Sequence, residues 1–155
     1  MSGMPGRDIV YFDTSALAKW YLNEEFSDEV ERYIQKHGPV AISDLTAVEM
    51  RSLLARRRRE REIDMRTETR VFAVFEEDAR RGFLIRHPLP ATLAAGAVNL
   101  IASCPSVPLR SLDAMHLVAA QEIGAAVVAT SDRIMAAGAE ALGLAVARFI
   151  EKRGR

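Results

Sequence analysis

The chain predicts an α/β fold, a small parallel sheet of four to five strands with helices on both faces. Three observations point there. Short unbroken apolar runs recur along the sequence, as strands buried on both faces require. Longer stretches with helical apolar spacing separate them. Hydroxyl or acidic residues that can cap a helix stand at the junctions.

The first strand is Ile9 to Phe12, all apolar or aromatic and without alternation. Thr14 and Ser15 can cap the helix that continues through ALAKWYL. Ser27 can cap the next helix, with Asp28 and Glu29 in its first turn, where the helix dipole favours acids. That helix should end at His37-Gly38-Pro39, and Val40 to Ile42 makes a second short strand. Ser43 or Asp44 then caps a helix that carries Leu45, Val48, Leu53 and Leu54 at helical spacing. Asp64 caps a fourth helix running to Arg81 before Gly82, and Phe83 to Arg86 forms a third strand. Two adjacent helices between the second and third strands suggest an inserted helical hairpin. Pro90 opens a helix into Ile101, which CPSVP breaks; Ser111 caps another ending near Gly124. Ala126 to Thr130 is a strand, Arg133 to Leu142 a helix, and Leu144 to Phe149 the last strand.

A length of 155 residues fits one domain with a sizeable core. Residues 9–150 read as that domain, 1–8 as a flexible leader and 151–155 as a basic tail. Lys plus Arg equals Asp plus Glu at 21 each, so net charge selects no partner. Cys104 is the only cysteine, which excludes an internal disulfide and favours a reducing, cytoplasmic setting. No run approaches the roughly 20 apolar residues that span a bilayer, and no secretory signal pattern is present.

Four acids carry the chemistry. Asp13 follows the first strand directly and Asp132 follows the strand ending at Thr130 by two residues. Glu49 and Asp113 lie near the starts of helices that follow strands or turns. In an open parallel sheet the ligand site lies beyond the carboxyl ends of the strands, so all four are expected on one rim. An oxygen-rich pocket of this kind suits Mg²⁺, a hard cation usually held by one or two carboxylates plus water and phosphate. Each acid also has a bland explanation: Asp13 as a helix cap, Glu49 as a solvated helix residue, Asp113 as a first-turn acid, Asp132 as an Asx turn or cap. Ser15 and Thr130 are hydroxyls placed to orient Asp13 and Asp132. His116 shares a helix face with Asp113 and reads as a supporting or core histidine rather than a base. Three dispersed histidines and one cysteine make no zinc pattern, and no phosphate-binding glycine loop occurs.

The ordered set resembles a PIN domain, and most closely a VapC-type ribonuclease toxin of a toxin–antitoxin pair. The resemblance rests on Asp13-Thr14-Ser15-Ala16-Leu17, Glu49, Leu112-Asp113-Ala114-Met115-His116 and Thr130-Ser131-Asp132. It implies a PIN-like α/β/α fold with an inserted helical pair. It also implies a Mg²⁺- or Mn²⁺-dependent endoribonuclease using metal-activated water, with Asp13 and Asp113 as leading metal ligands and Glu49 and Asp132 completing the shell. A cognate antitoxin and a homodimer come with the family. RNA processing outside a toxin pair, or a silent binding module, are the competing expectations. A haloacid-dehalogenase-like phosphatase is disfavoured because Ser15 stands where that chemistry needs a second Asp.

Basic residues follow Glu49 closely. Arg51, Arg56 and Arg57, with Arg58, Arg59 and Arg61 behind them, are candidates to hold an RNA backbone, as is Arg110 before Asp113. A solvated, arginine-rich helix end explains the run equally well.

Overall fold

The computed structural model describes residues 7–152. Five parallel strands form one sheet in the order β3-β2-β1-β4-β5. They are β1 (Val10–Phe12), β2 (Val40–Ser43), β3 (Leu84–His87), β4 (Val127–Thr130) and β5 (Ala145–Arg148). Helices α1 (Thr14–Tyr21) and α2 (Ser27–His37) join β1 to β2; α3 (Asp44–Arg59) and α4 (Met65–Arg80) join β2 to β3. Helices α5 (Leu93–Ser103) and α6 (Ser111–Glu122) lead to β4, and α7 (Arg133–Ala141) leads to β5. The paired helices between β2 and β3 are the expected hairpin, held by Arg58 against Glu68 and by Arg51 over the Phe72 ring, 4.9 Å from its centroid.

Strand alternation divides the core into two layers. Val10 and Phe12 face α1 to α4, packing with Leu17, Val30, Met50 and Phe75. Tyr11, between them in sequence, faces the other way and packs with Leu93, Leu117 and Met135 of α5 to α7. The central strand is buried on both sides, which is why its sequence shows no alternation. Beyond its end, chain connections diverge: β2 lies on one side and β4 on the other. This divergence opens the crevice in which open α/β sheets place their ligands.

Of the three candidate caps for α1, Asp13 rather than Thr14 or Ser15 is the N-cap and accepts from the Ala16 N–H at 3.0 Å. Several other junctions differ from expectation. Ser27 does not cap α2. The preceding Phe26 takes a left-handed backbone (φ 66°), and the Ser27 hydroxyl instead donates to the Leu22 carbonyl at 2.8 Å. Ser111 is the first residue of α6 and Arg110 its N-cap. Pro90 forms a turn, accepting from the Leu93 N–H, so α5 starts three residues after it. Gly82 ends α4 with a positive φ of 82°, allowing Phe83 N–H to reach the Asp78 carbonyl in a Schellman closure. Gly38 ends α2 for a different reason: its backbone is extended, but a Cβ would stand 2.6 Å from the Ile34 carbonyl oxygen.

Of the expected leader, residues 1–6 lie outside the described residues, while Arg7 donates to the Gly38 carbonyl at 3.1 Å. Residues 153–155 of the basic tail also lie outside them. Among the described residues no helix is long and apolar enough to cross a membrane.

Candidate active site

Asp13, Glu49, Asp113 and Asp132 line one cavity of about 350 Å³ at the carboxyl end of the sheet. Each is delivered by a separate element. Asp13 stands immediately after β1, with its N–H bound to the Ala129 carbonyl of β4 at 3.1 Å, so it sits at the seam of the two strands. Asp132 follows β4 and caps α7, one carboxylate oxygen accepting from the N–H groups of Ile134 and Met135 at 2.8 and 3.0 Å. Asp113 lies in the first turn of α6, and Glu49 about one and a half turns into α3. The capping roles foreseen for Asp13 and Asp132 hold, and they coexist with a place on the cavity wall because each carboxylate has a second oxygen.

Asp13 is the most enclosed of the four, at 4% exposure. One oxygen accepts from the Ser15 hydroxyl at 2.7 Å and from Ala16 N–H; the other accepts from the Thr130 hydroxyl. Burial pushes its carboxyl above the ordinary range, and the hydrogen bonds from Thr130, Ser15 and Ala16 and the positive field of His116 offset only part of that. Ser15 and Thr130 thus act on Asp13. Thr130 also accepts from Asp132 N–H at 2.9 Å, and Ser15 Oγ from Ser131 N–H at 3.0 Å, which locks the β1 and β4 ends together.

Glu49 lines the same cavity. Its Oε1 accepts from the Thr14 hydroxyl at 3.0 Å and from His116 Nε2. Burial alone would raise its carboxyl, but the hydrogen bond and charge of His116, with Thr14 and Arg110, pull it below the ordinary value. The buried His116 is held at Nδ1, 2.6 Å from the Tyr11 phenol, which lies 2.9 Å from Ser43 Oγ. Burial pushes the Tyr11 phenol far above its usual range, so it stays protonated as a hydrogen-bond relay. Tyr11 and Thr14 escape sequence reasoning. The available signal for Tyr11 is a phenol inside a fully buried strand, which demands a polar partner.

Among the described residues, Arg110 is the only lysine or arginine on the cavity wall. Its Nε stands 2.9 Å from Asp113 Oδ2, and one terminal nitrogen reaches both Asp113 Oδ1 at 3.3 Å and Asp132 Oδ2. Asp113 Oδ2 also accepts from the Arg110 backbone N–H at 3.1 Å. The other candidate cations lie elsewhere. Arg51, Arg56 and Arg57 do not line the cavity. Arg57 is taken by Glu24, at 3.0 Å, and by Glu62.

The fit of this cavity to a cation depends on how many ligands are asked of it. Among the described residues, no group of three or more His, Cys, Asp or Glu side chains gathers closely enough to cage an ion. The four acids line one space, with Asp13 held by hydroxyls, Glu49 by Thr14 and His116, and Asp113 and Asp132 sharing Arg110. Four carboxylates and the hydroxyl-bearing Thr14, Ser15 and Ser111 on one wall suit a hard cation bound by one or two carboxylates and completed by water. Asp13 and Asp113 are the two most buried of the four carboxylates, and a backbone N–H holds each. No zinc-type nitrogen or sulfur set accompanies them among the described residues, since His116 is turned to Tyr11 and Glu49.

The PIN domain family model matches residues 10–141. No curated protein matches the chain. Among solved structures, the chain is similar to VapC20 of Mycobacterium tuberculosis, a sarcin-ricin loop cleaving toxin. That alignment has a TM-score of 0.66 and 18% identity, covering 83% of this chain and 93% of that one. It is similar to FitAcB from Neisseria gonorrhoeae (TM-score 0.65, 16% identity, 89% and 96% covered). It is also similar to DNA-bound VapBC from Salmonella typhimurium (TM-score 0.63, 19% identity, 91% and 98% covered). At these identities the likeness establishes the fold.

Proposed function

The chain belongs to the PIN domain family, and on that premise we propose that it is a divalent-metal-dependent endoribonuclease acting as the toxin of a type II toxin–antitoxin pair. The observation that carries the reading is the convergence of Asp13, Glu49, Asp113 and Asp132 on one cavity at the carboxyl rim of the sheet. Mg²⁺, with Mn²⁺ as the alternative, is the proposed cofactor. RNA is the proposed substrate, and a cognate antitoxin and a second copy of the chain are the proposed partners, in the cytoplasm. Similarity to the toxin VapC20 and to the assemblies FitAcB and VapBC supports the toxin reading.

Asp13 and Asp113 would hold the cation, with Glu49 and Asp132 completing the acidic wall directly or through water. The bound cation would supply charge neutralisation at the scissile phosphate and polarisation of the attacking water. The chain's own residues do the positioning. Ser15 and Thr130 fix both oxygens of Asp13, and Thr14 and His116 fix Glu49. Such anchoring matters because small displacements of catalytic groups cost large factors in rate. His116 keeps Glu49 ionised, so this carboxylate adds negative charge to the cavity wall. Arg110, exposed beside Asp113 and Asp132, would be the cavity's cation for an RNA phosphate.

The test is incubation of the purified protein with total RNA, followed by sequencing of the new ends. Cleavage abolished by EDTA and restored by Mg²⁺ or Mn²⁺ is the expected result. Cleavage that survives EDTA, or that survives in Asp13→Asn, would overturn the assignment.

A further inference from the structure

We propose that Arg110 is a resident counter-cation of the acidic cavity, which competes with the divalent ion for Asp113 and Asp132 and must swing away before the ion is held. The proposal rests on the reading of this cavity as a metal site. Four observations carry it. The guanidinium spans two acids from different elements, the first turn of α6 and the N-cap of α7. Among the described residues it is the only lysine or arginine on a wall that carries four carboxylates. The backbone N–H of Arg110 is already satisfied by Asp113, so capping of α6 does not require the side chain. The side chain is 62% exposed, against 10% for Asp113 and 28% for Asp132, so it can leave while the acids stay fixed.

The physical logic is charge compensation. Carboxylates gathered without a counter-charge repel one another and lose stability or protons. Asp13 is held by hydroxyl donors and Glu49 pairs with His116. Asp113 and Asp132 have the Arg110 fork. A planar guanidinium suits that task because it presents several donors in one plane. A divalent ion offers twice the charge to the same oxygens, and an exposed ion pair yields readily. Arg110 therefore keeps the metal-free cavity intact and sets the metal concentration at which it fills.

Calorimetric titration of Mn²⁺ into wild type, R110A, R110K and D113N, each cleared of metal, tests this. R110A should bind Mn²⁺ roughly three- to tenfold more tightly than wild type. R110K should fall between them, because an ammonium cannot fork two carboxylates. In EDTA, R110A should melt below wild type, and Mn²⁺ should close that gap. Should R110A fail to fold, R110Q serves in its place, keeping a polar chain of similar reach without the charge. Equal or weaker Mn²⁺ binding by the Arg110 variants, with binding in wild type still lost in D113N, would overturn the proposal and leave the metal site standing. Absence of Mn²⁺ binding in wild type and variants alike would overturn it by removing the metal site itself.

Discussion

The Tyr11 phenol oxygen stands 2.6 Å from His116 Nδ1, inside the sheet, and through that ring the central strand reaches Glu49. Because Glu49 is a carboxylate, Nε2 of His116 must carry the proton between them. Tyr11 is then either a donor to Nδ1 or, with an imidazolium, an acceptor from it, and Ser43 takes the complementary role at 2.9 Å. Tyr11→Phe leaves His116 Nδ1 and the Ser43 hydroxyl buried without this partner. A loss of about 1–3 kcal/mol is expected, measured as a shift of the urea midpoint. Cleavage should weaken less than in a Glu49 variant, because the substituted phenyl ring preserves packing while loosening the histidine that orients Glu49.

Glu49 gives the fold an acid limb. Burial opposes its ionisation, yet His116, Thr14 and Arg110 outweigh burial and lower the folded pKa from 4.5. The unfolded chain therefore binds more protons as pH falls below that value. Stability from this group is present above 4.5 and disappears as pH falls through the depressed value. Glu49→Gln should be less stable than wild type at neutral pH, and the difference should shrink toward zero in strong acid. Urea midpoints from neutral pH down into strong acid, taken on both proteins without metal, check the sign. A difference that grows on acidification would contradict the ion-pair account.

Much of this arrangement is legible in the chain itself, and the rest fails for stated reasons. Val10 to Phe12, within the apolar run that begins at Ile9, announces a central parallel strand because both of its faces are buried, and that alone places Asp13 at a strand end. The caps are harder. Ser27 and Ser111 have the right chemistry, but a neighbouring backbone conformation and the Arg110–Asp113 contact decide the actual helix starts. Arginines are hardest of all. Arg57 and Arg110 look alike beside an acidic site, yet long-range partners separate them: Glu24 lies 33 residues from Arg57, and Asp132 lies 22 from Arg110. Spacing reveals neighbours on a helix, not those that the fold brings in.

That separation is measurable. Arg57 ties the end of α3 to Glu24, in the turn between α1 and α2, with 29% of its side chain exposed. Arg57→Ala should cost about 1 kcal/mol of stability with RNA affinity unchanged. Arg56 is exposed, so Arg56→Ala should leave stability within about 0.5 kcal/mol. If Arg56 meets the RNA backbone, its removal should also flatten the salt dependence of RNA binding. Thermal melts and RNA titrations at several salt concentrations separate the two arginines; a loss of RNA affinity in Arg57→Ala without loss of stability would reverse the assignment.

Asp13 sets stability against chemistry. Burial raises its carboxyl from the ordinary 3.8, and the surrounding donors do not fully compensate. Between 3.8 and the raised value the folded state holds a proton that the unfolded chain has lost. Stability from that proton is complete below 3.8, falls as pH rises through the raised value, and stays lost above it. Asparagine at this position keeps the cap, since its carbonyl accepts from Ala16 N–H and Ser15, while its amide can donate to the Thr130 hydroxyl. Asp13→Asn should therefore melt higher than wild type without metal at neutral pH, with the difference vanishing below 3.8. Added Mn²⁺ should raise the melting point of wild type and leave the variant unmoved. Cleavage should fall on the order of 100-fold or more, because a charge in a preorganised site is worth several kcal/mol. A variant that melts lower than wild type in EDTA would mean that the hydrogen bonds to Asp13 outweigh its burial, and that the site is not strained by this carboxylate.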